Sequence, residues 1–380
     1  MRCRVLMLAI ASILSGRSGL ADAPIEWASE TASPRPGGAS GVRDGHLVST
    51  CSDADAGLVV VAARLARHEI LASDVDAVSY ALRAAGEPHV RPRAIALEGR
   101  TVDRSDARGR IERWLGDFRH QGRLRCATAS AESGGRETVA AVAVDAQADL
   151  APIALLARPS SWIDVEARVL VEATQAKVVM LGPTGAPRLL PTSFAGGRVR
   201  ARANVDRPGA WLFQVVVDGE GGPRPVLEAF VFAGVSPPRD RPAERAPGEE
   251  LEASGDAPTA LGQMIAAARV SEGMGSLRRS TVLDRAARAH AERMMRAGEL
   301  RHDLGDGDAR ERVENAGIEA DEVGENVAHA ATLALAHRAL WASPSHRDNV
   351  LGRRFTKFGV GVSQDADGSI WVTELFASQR

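Results

Sequence analysis

The sequence predicts an α+β fold divided into three folded units behind an N-terminal targeting segment. Three observations carry that prediction. Apolar residues recur at helical spacing in the first and last thirds of the chain, while residues 150–234 break into short β-rich runs set apart by Gly and Pro turns. Two stretches rich in Pro, Gly, Ser or charge, at 24–49 and 235–258, interrupt the pattern and read as linkers. At 380 residues the chain also exceeds what one core usually holds.

The targeting segment comes first. Arg2 and Arg4 precede an apolar run from Val5 to Leu14, and Ala21-Asp22-Ala23 offers a small-residue cleavage site, so residues 1–23 read as a signal peptide. The expected destination is a periplasm or the cell exterior. Cys3 lies before the apolar run, so there is no lipobox, and no later run is long enough for a transmembrane segment.

Residues 50–149 read as an α+β unit. GLVVVAARLARHEI and DVDAVSYALRAAG have apolar residues at helical spacing, with Gly86 as a stop, and RGRIERWLGDF is a third helix. RLRCATAS, a Gly-Gly turn and ETVAAVAVD read as a β-hairpin. Export permits a disulfide between Cys51 and Cys126, the alternative being two buried thiols.

Residues 150–234 suggest a small β-sandwich of immunoglobulin-like type, from WIDVEARVLV, KVVMLGPTGAPR, RVRARANVDRPGAWLFQVVVD and PVLEAFVFAG. Residues 259–380 return to helical spacing. Leu261, Met264, Ile265 and Ala268 share one face of the first helix, and Leu283, Ala287, His290, Met294 and Met295 share one side of the next, which Gly298 follows. Asp308 with Glu311 three residues on makes a capping box. KFGVGVS and SIWVTELFA flank an Asp367-Gly368 turn and read as a hairpin.

Function classes can be removed on the same basis. A formal charge of -2 with arginines scattered along the chain leaves no footprint for nucleic acid. No Gly-x-Ser-x-Gly occurs and the last unit has no cysteine, which removes serine and cysteine nucleophiles. No Cys-x-x-Cys or His-Glu-x-x-His is present.

The last unit carries, in order, LDRAARAHAERMM, LRHD around His302, GENVA at 324–328, W-x-SPSHRDNVL at 341–351, FTKFGVGVS at 355–363 and IWVTELFA at 370–377. With these motifs it resembles the CAP superfamily, or SCP domain, of cysteine-rich secretory proteins, antigen 5 and class 1 pathogenesis-related proteins, and its bacterial branch best. The resemblance implies a three-layer α-β-α sandwich whose central cleft holds two histidines and acidic partners, which bind a divalent metal in several members. Carried over by motif, the cleft residues are His302, Glu325 and His346, with His302 and His346 as ligands for Zn²⁺ or another divalent cation. Ser343 as N-cap and Pro344 at the first helical position place His346 in a first turn, where the positive helix end favours neutral imidazole.

The chain departs from the pattern at the fourth position. Pro344 stands where eukaryotic members have a second glutamate, and Lys357 where many bacterial relatives have an acid. Glu374 is a candidate, though an exposed glutamate at a sheet edge is the expectation. His290, His329 and His337 are read as structural residues on helix faces. Residues 50–149 are hypothesised to be a degenerate CAP-like copy, because helices, a Trp-terminated helix and a closing hairpin follow in the same order in both units.

Three functions compete. The first is an exported, non-catalytic, envelope-associated module that binds a small molecule, a lipid or an envelope component. The second is a metal-dependent hydrolase using His302, Glu325 and His346. The third is a structural envelope protein with a vestigial cleft.

Overall fold

A computed structural model describes residues 47–51, 55–242, 244–253 and 255–378. The predicted signal peptide and nearly all of the first predicted linker lie outside them. Leu47 and Val48, at that linker's end, pack against the first unit.

The first unit contains α1 (Ala56–Ala66), α2 (Val75–Ala84), β1 (Arg93–Gly99), α3 (Arg104–Gly116), β2 (Arg123–Ser133) and β3 (Arg136–Ala146). Its antiparallel strands lie in the order β1-β3-β2. The hairpin is buried on both faces, and its period of two divides the contacts. Ala127, Ala129, Val142 and Val144 pack under Leu58, Leu65 and Leu82 of α1 and α2. Cys126, Val139 and Ala141 pack under Ile111 and Leu115 of α3. Cys51 and Cys126 are bonded, with Cα atoms 5.0 Å apart.

The second unit stacks two sheets around one core that includes the buried Trp211 and Phe213. Its strands are β4 (Ala148–Leu150), β5 (Leu156–Ala157), β6 (Ser161–Val169), β7 (Gln175–Leu181), β8 (Arg188–Leu190), β9 (Thr192–Ala195), β10 (Arg198–Val205), β11 (Gly209–Gly219) and β12 (Gly222–Ala233). One sheet runs β4-β6-β10-β9 and the other β5-β12-β11-β7-β8, with β5 parallel to β12.

The third unit contains α4 (Ala257–Ser271), β13 (Arg278–Arg279), α5 (Thr281–Ala297), α6 (Ala309–Asn315), β14 (Val323–Ala330), α7 (Leu333–Ala342), α8 (Pro344–Leu351), β15 (Lys357–Gln364) and β16 (Ile370–Ala377). The sheet order is β13-β15-β16-β14. Helices α4, α7 and α8 cover one face, through Leu261, Leu340, Val350 and Phe376. Helices α5 and α6 cover the other, through Leu283, Val313 and Leu375. Gly359 and Gly361 of the FGVGVS motif explain how closely α5 lies on β15. A Cβ at either would sit 2.4 or 2.2 Å from the α5 backbone or side chains. Asp308 and Glu311 form a reciprocal capping box at the start of α6.

Several expectations change. The Gly-Glu-Asn stretch lies at the start of β14, and His329 is on that strand, stacked on Trp371, rather than on a helix. The 235–258 stretch is not a free linker throughout. Arg64 pairs with Asp240, the Tyr80 hydroxyl donates to the Pro238 carbonyl, and buried Glu249 pairs with Arg338 of α7. Glu374 is not an exposed edge residue, because β16 is an inner strand and the side chain is fully buried.

Candidate functional site

His302 lies in the loop between α5 and α6, and buried groups below it hold that loop. On α5, buried His290 places Nδ1 2.8 Å from Asp306 and Nε2 2.9 Å from the Arg301 carbonyl oxygen. Arg312 of α6 donates to the carbonyl oxygens of His302 and Gly307. The backbone carrying the imidazole is thereby tied at residues 301, 302, 306 and 307.

Glu325 points from β14 toward α5 and α6. One carboxylate oxygen lies 2.7 Å from His302 Nδ1 and the other accepts from Arg312 Nη2 at 2.5 Å. Burial works to raise the pKa of Glu325. The hydrogen bond from His302 and the charges of His302 and Arg312 outweigh it and hold the carboxyl below its ordinary range. The Glu325 carboxylate makes His302 Nδ1 a donor, with Nε2 on the opposite side of the ring.

His346 comes from the opposite layer. Ser343 is the N-cap and Pro344 the first residue of α8, but Ser343 makes no capping bond of its own. The second unit supplies it: buried Gln214 of β11 accepts from Ser345 N at 2.9 Å and donates to Ser343 Oγ at 3.1 Å. From below, Asn326 donates to the His346 carbonyl oxygen at 3.1 Å and to Glu374 at 2.8 Å. The His346 ring has no hydrogen-bond partner among the described residues. Burial, with the charges of His302, Arg91 and Lys177, pushes its pKa down to about 3, so the imidazole is neutral. Burial pushes Glu374 up to about 7, and the Asn326 bond only partly offsets this. Glu374 thus supports Asn326 beneath α8 and does not line the cleft.

His302, Glu325 and His346 line one cavity of about 370 Å³ between the third unit and β7 and β11 of the sandwich. The β11–β12 turn forms its edge. The His302 amide donates to the Gly221 carbonyl oxygen at 3.2 Å, and a Cβ at Gly222 (φ 96) would lie 2.8 Å from His302 Cβ. Only glycine permits that approach. A larger cavity of about 580 Å³ takes walls from all three units and includes His302 and His346. Five arginines line it (Arg91, Arg93, Arg119, Arg224 and Arg301) beside three acids, Asp145, Glu220 and Glu299. Arg91, Arg93, Arg119 and Arg224 have no ion-pair partner among the described residues, whereas Arg301 pairs with Glu220 and Glu299.

As a metal centre the cleft is short of ligands. It offers two imidazoles, whereas both oxygens of Glu325 are engaged, and a catalytic zinc site ordinarily has three protein ligands. Among the described residues, one group brings three ligand atoms within 4.8 Å of one another, and it is Asp55, Glu87 and His89 of the first unit. Nothing in the sequence reading singled out these three. His337, read as structural, is buried and bonds the Pro247 carbonyl oxygen.

Comparison with known proteins bears on the third unit. The family model described as the cysteine-rich secretory protein family, CAP, matches residues 263–376. No match among curated proteins reaches significance. Among solved structures, an outer surface protein of Borrelia burgdorferi matches at 19% identity over 33% of this chain and 96% of its own, with a TM-score of 0.32. An extracellular SCP-domain protein of Bacillus anthracis matches at 14% identity over 70% of this chain and 92% of its own, at 0.30. A cysteine-rich secretory protein of Staphylococcus aureus matches at 11% over 71% and 90%, at 0.28. No helix among the described residues is long and apolar enough to cross a membrane.

Proposed function

We propose that this chain, whose residues 263–376 are a domain of the CAP family, is an exported, non-catalytic protein that binds a small anionic ligand between its three units. One observation carries the reading. The cavity beside His302 and His346 is lined by five arginines against three acids, and among the described residues only Arg301 of the five makes an ion pair. Guanidinium groups present planar paired donors suited to phosphate, sulfate or carboxylate oxygens. His302 Nε2 and the neutral His346 add adaptable polar contacts at the cavity's inner end.

A hydrolytic reading has less support, because Glu325 is held on both oxygens and is not a free general base. The signal-like residues 1–23 support export. We read the sandwich as immunoglobulin-like, supported by its strand order and by the parallel edge pair β5–β12. In this arrangement the sandwich orients the CAP cleft, through Gln214 and Gly221, and walls the ligand.

Isothermal titration of the full chain with inorganic pyrophosphate, beside a neutral trisaccharide, tests the proposal. Pyrophosphate is expected to bind, to weaken with added salt, and to lose about tenfold in affinity in Arg91→Ala or Arg224→Ala, one lost charge-assisted contact. Binding of the trisaccharide alone, unaffected by either substitution, would overturn it.

A further inference from the structure

Asp55, Glu87 and His89 converge in the first unit, away from the CAP cleft. Asp55 immediately precedes α1, and Glu87 and His89 belong to the segment joining α2 to β1. They are 3, 2 and 1% exposed. The fold brings them together deliberately. Glu87 accepts from the backbone N–H groups of Gly57 and Leu58 in the first turn of α1. A Cβ at residue 57 would lie 2.6 Å from Glu87 Cγ, so glycine at that position lets the carboxylate enter.

What Glu87 and His89 lack is partners. Glu87 Oε2 and both ring nitrogens of His89 are buried without a hydrogen bond, and Oε2 stands 3.7 Å from His89 Nε2. Buried polar atoms are nearly always satisfied, and each left unmade costs about 1–3 kcal/mol. Glu87 Oε2 and one His89 nitrogen, unmet beside each other and both of ligand type, indicate a missing occupant.

Charge identifies the occupant's class. Arg125 bridges Asp55 at 2.9 Å and buried Asp149 at 2.6 Å. With all three carboxylates ionised, the guanidiniums of Arg125 and Arg123, the latter 3.8 Å from Asp149, leave one negative charge uncompensated, which a bound cation offsets. An imidazole with two carboxylates is a ligand set for Zn²⁺ and its first-row neighbours. Outer contacts orient two of the three ligands: Arg125 holds Asp55, and the α1 amides hold Glu87. The burial of all three side chains suits a structural ion.

We propose that Asp55, Glu87 and His89 bind one divalent transition-metal ion, Zn²⁺ in the first instance, which ties the start of α1 to the α2–β1 segment. The competing occupant is a proton shared between Glu87 and His89.

The test uses the full chain, stripped with EDTA, reloaded with Zn²⁺, dialysed and assayed for bound metal by mass spectrometry. Wild type is expected to retain one equivalent, as is the His302→Ala/His346→Ala double variant, while Glu87→Gln and His89→Gln retain less than a tenth of that. Loading Co²⁺ instead should give a visible absorption band in wild type that is absent in Glu87→Gln, a readout independent of stability. No retained zinc in folded wild type overturns the proposal in favour of the proton. Zinc lost from the cleft double variant but kept by Glu87→Gln overturns it in favour of the cleft.

Discussion

The first and third units share a plan and differ in what they bury. The first unit places two helices before its first antiparallel strand and the third places three; one or two helices then precede a hairpin whose second strand lies between its first and the earlier strand: β1-β3-β2 in one, β14-β16-β15 in the other. Helix α1 lies on the β2–β3 hairpin as α5 lies on β15–β16. The chemistry does not follow the plan. In the third unit the acid between the layers, Glu325, is met on both oxygens by His302 and Arg312. In the first unit the cluster lies at the start of α1, and its imidazole and one carboxylate oxygen are unmet. One topology can carry a self-satisfied polar cleft or a group that calls for an ion, because the sheet order fixes where the layers meet, not which side chains stand there.

The largest expected difference between the units is covalent. Cys51 and Cys126 close a loop 75 residues apart, and the third unit has no cysteine. Cys51→Ala/Cys126→Ala should cost about 4–5 kcal/mol, mainly by freeing the unfolded chain. Calorimetry should show the first unit's transition fall while the third keeps its own; equal falls in both would show that the two unfold together. Next is Arg312→Ala, which strands Glu325 in a buried position. A loss of about 3 kcal/mol is expected in urea unfolding, largely recovered by adding Glu325→Gln. A neutral result for Arg312→Ala would remove the claim that the cleft acid depends on its guanidinium.

Much of this plan was readable in the sequence, and the reasons are local. Helical spacing in LDRAARAHAERMM and the Asp308–Glu311 box report structure that neighbours a few residues away determine. His302, Glu325 and His346 were found only as an ordered set of motifs, since no spacing rule links residues that meet across layers. Glu374 was misjudged because a lone glutamate in IWVTELFA looks like the solvent face of a strand, whereas β16 is buried on both faces. Gln214, which caps α8 from another unit, left no signal at all. Asp55, Glu87 and His89 were equally silent: a charged residue before a helix and two polar residues after one read as surface until the fold closes over them.

Glu374 gives the next prediction. Burial raises its pKa to about 7 from the ordinary 4.5, so the folded state holds its proton more tightly than the unfolded chain. Its contribution is fully present below pH 4.5, falls as pH rises toward 7, and is lost above that. Glu374→Gln keeps the Asn326 contact without the titration. The variant should gain on wild type across that window, by about 3 kcal/mol at pH 8. Parallel stability–pH curves for the two proteins would show Glu374 already ionised.

The smallest expected effect sharpens the contrast most. The His346 ring has no hydrogen-bond partner among the described residues, while Asn326 and Gln214 hold the α8 backbone around it. His346→Ala removes no protein contact of the ring's polar atoms, so its stability should change by less than about 1 kcal/mol. His302→Ala takes one of two partners from buried Glu325 and should cost more, about 1–2 kcal/mol. If the cleft serves a ligand, the order reverses in pyrophosphate affinity, with His346→Ala losing as much as His302→Ala despite its stable fold. A His346→Ala variant that binds as wild type would mean that the arginine-lined cavity works without its inner imidazole, and the ligand would then have to be sought nearer Arg91 and Arg224.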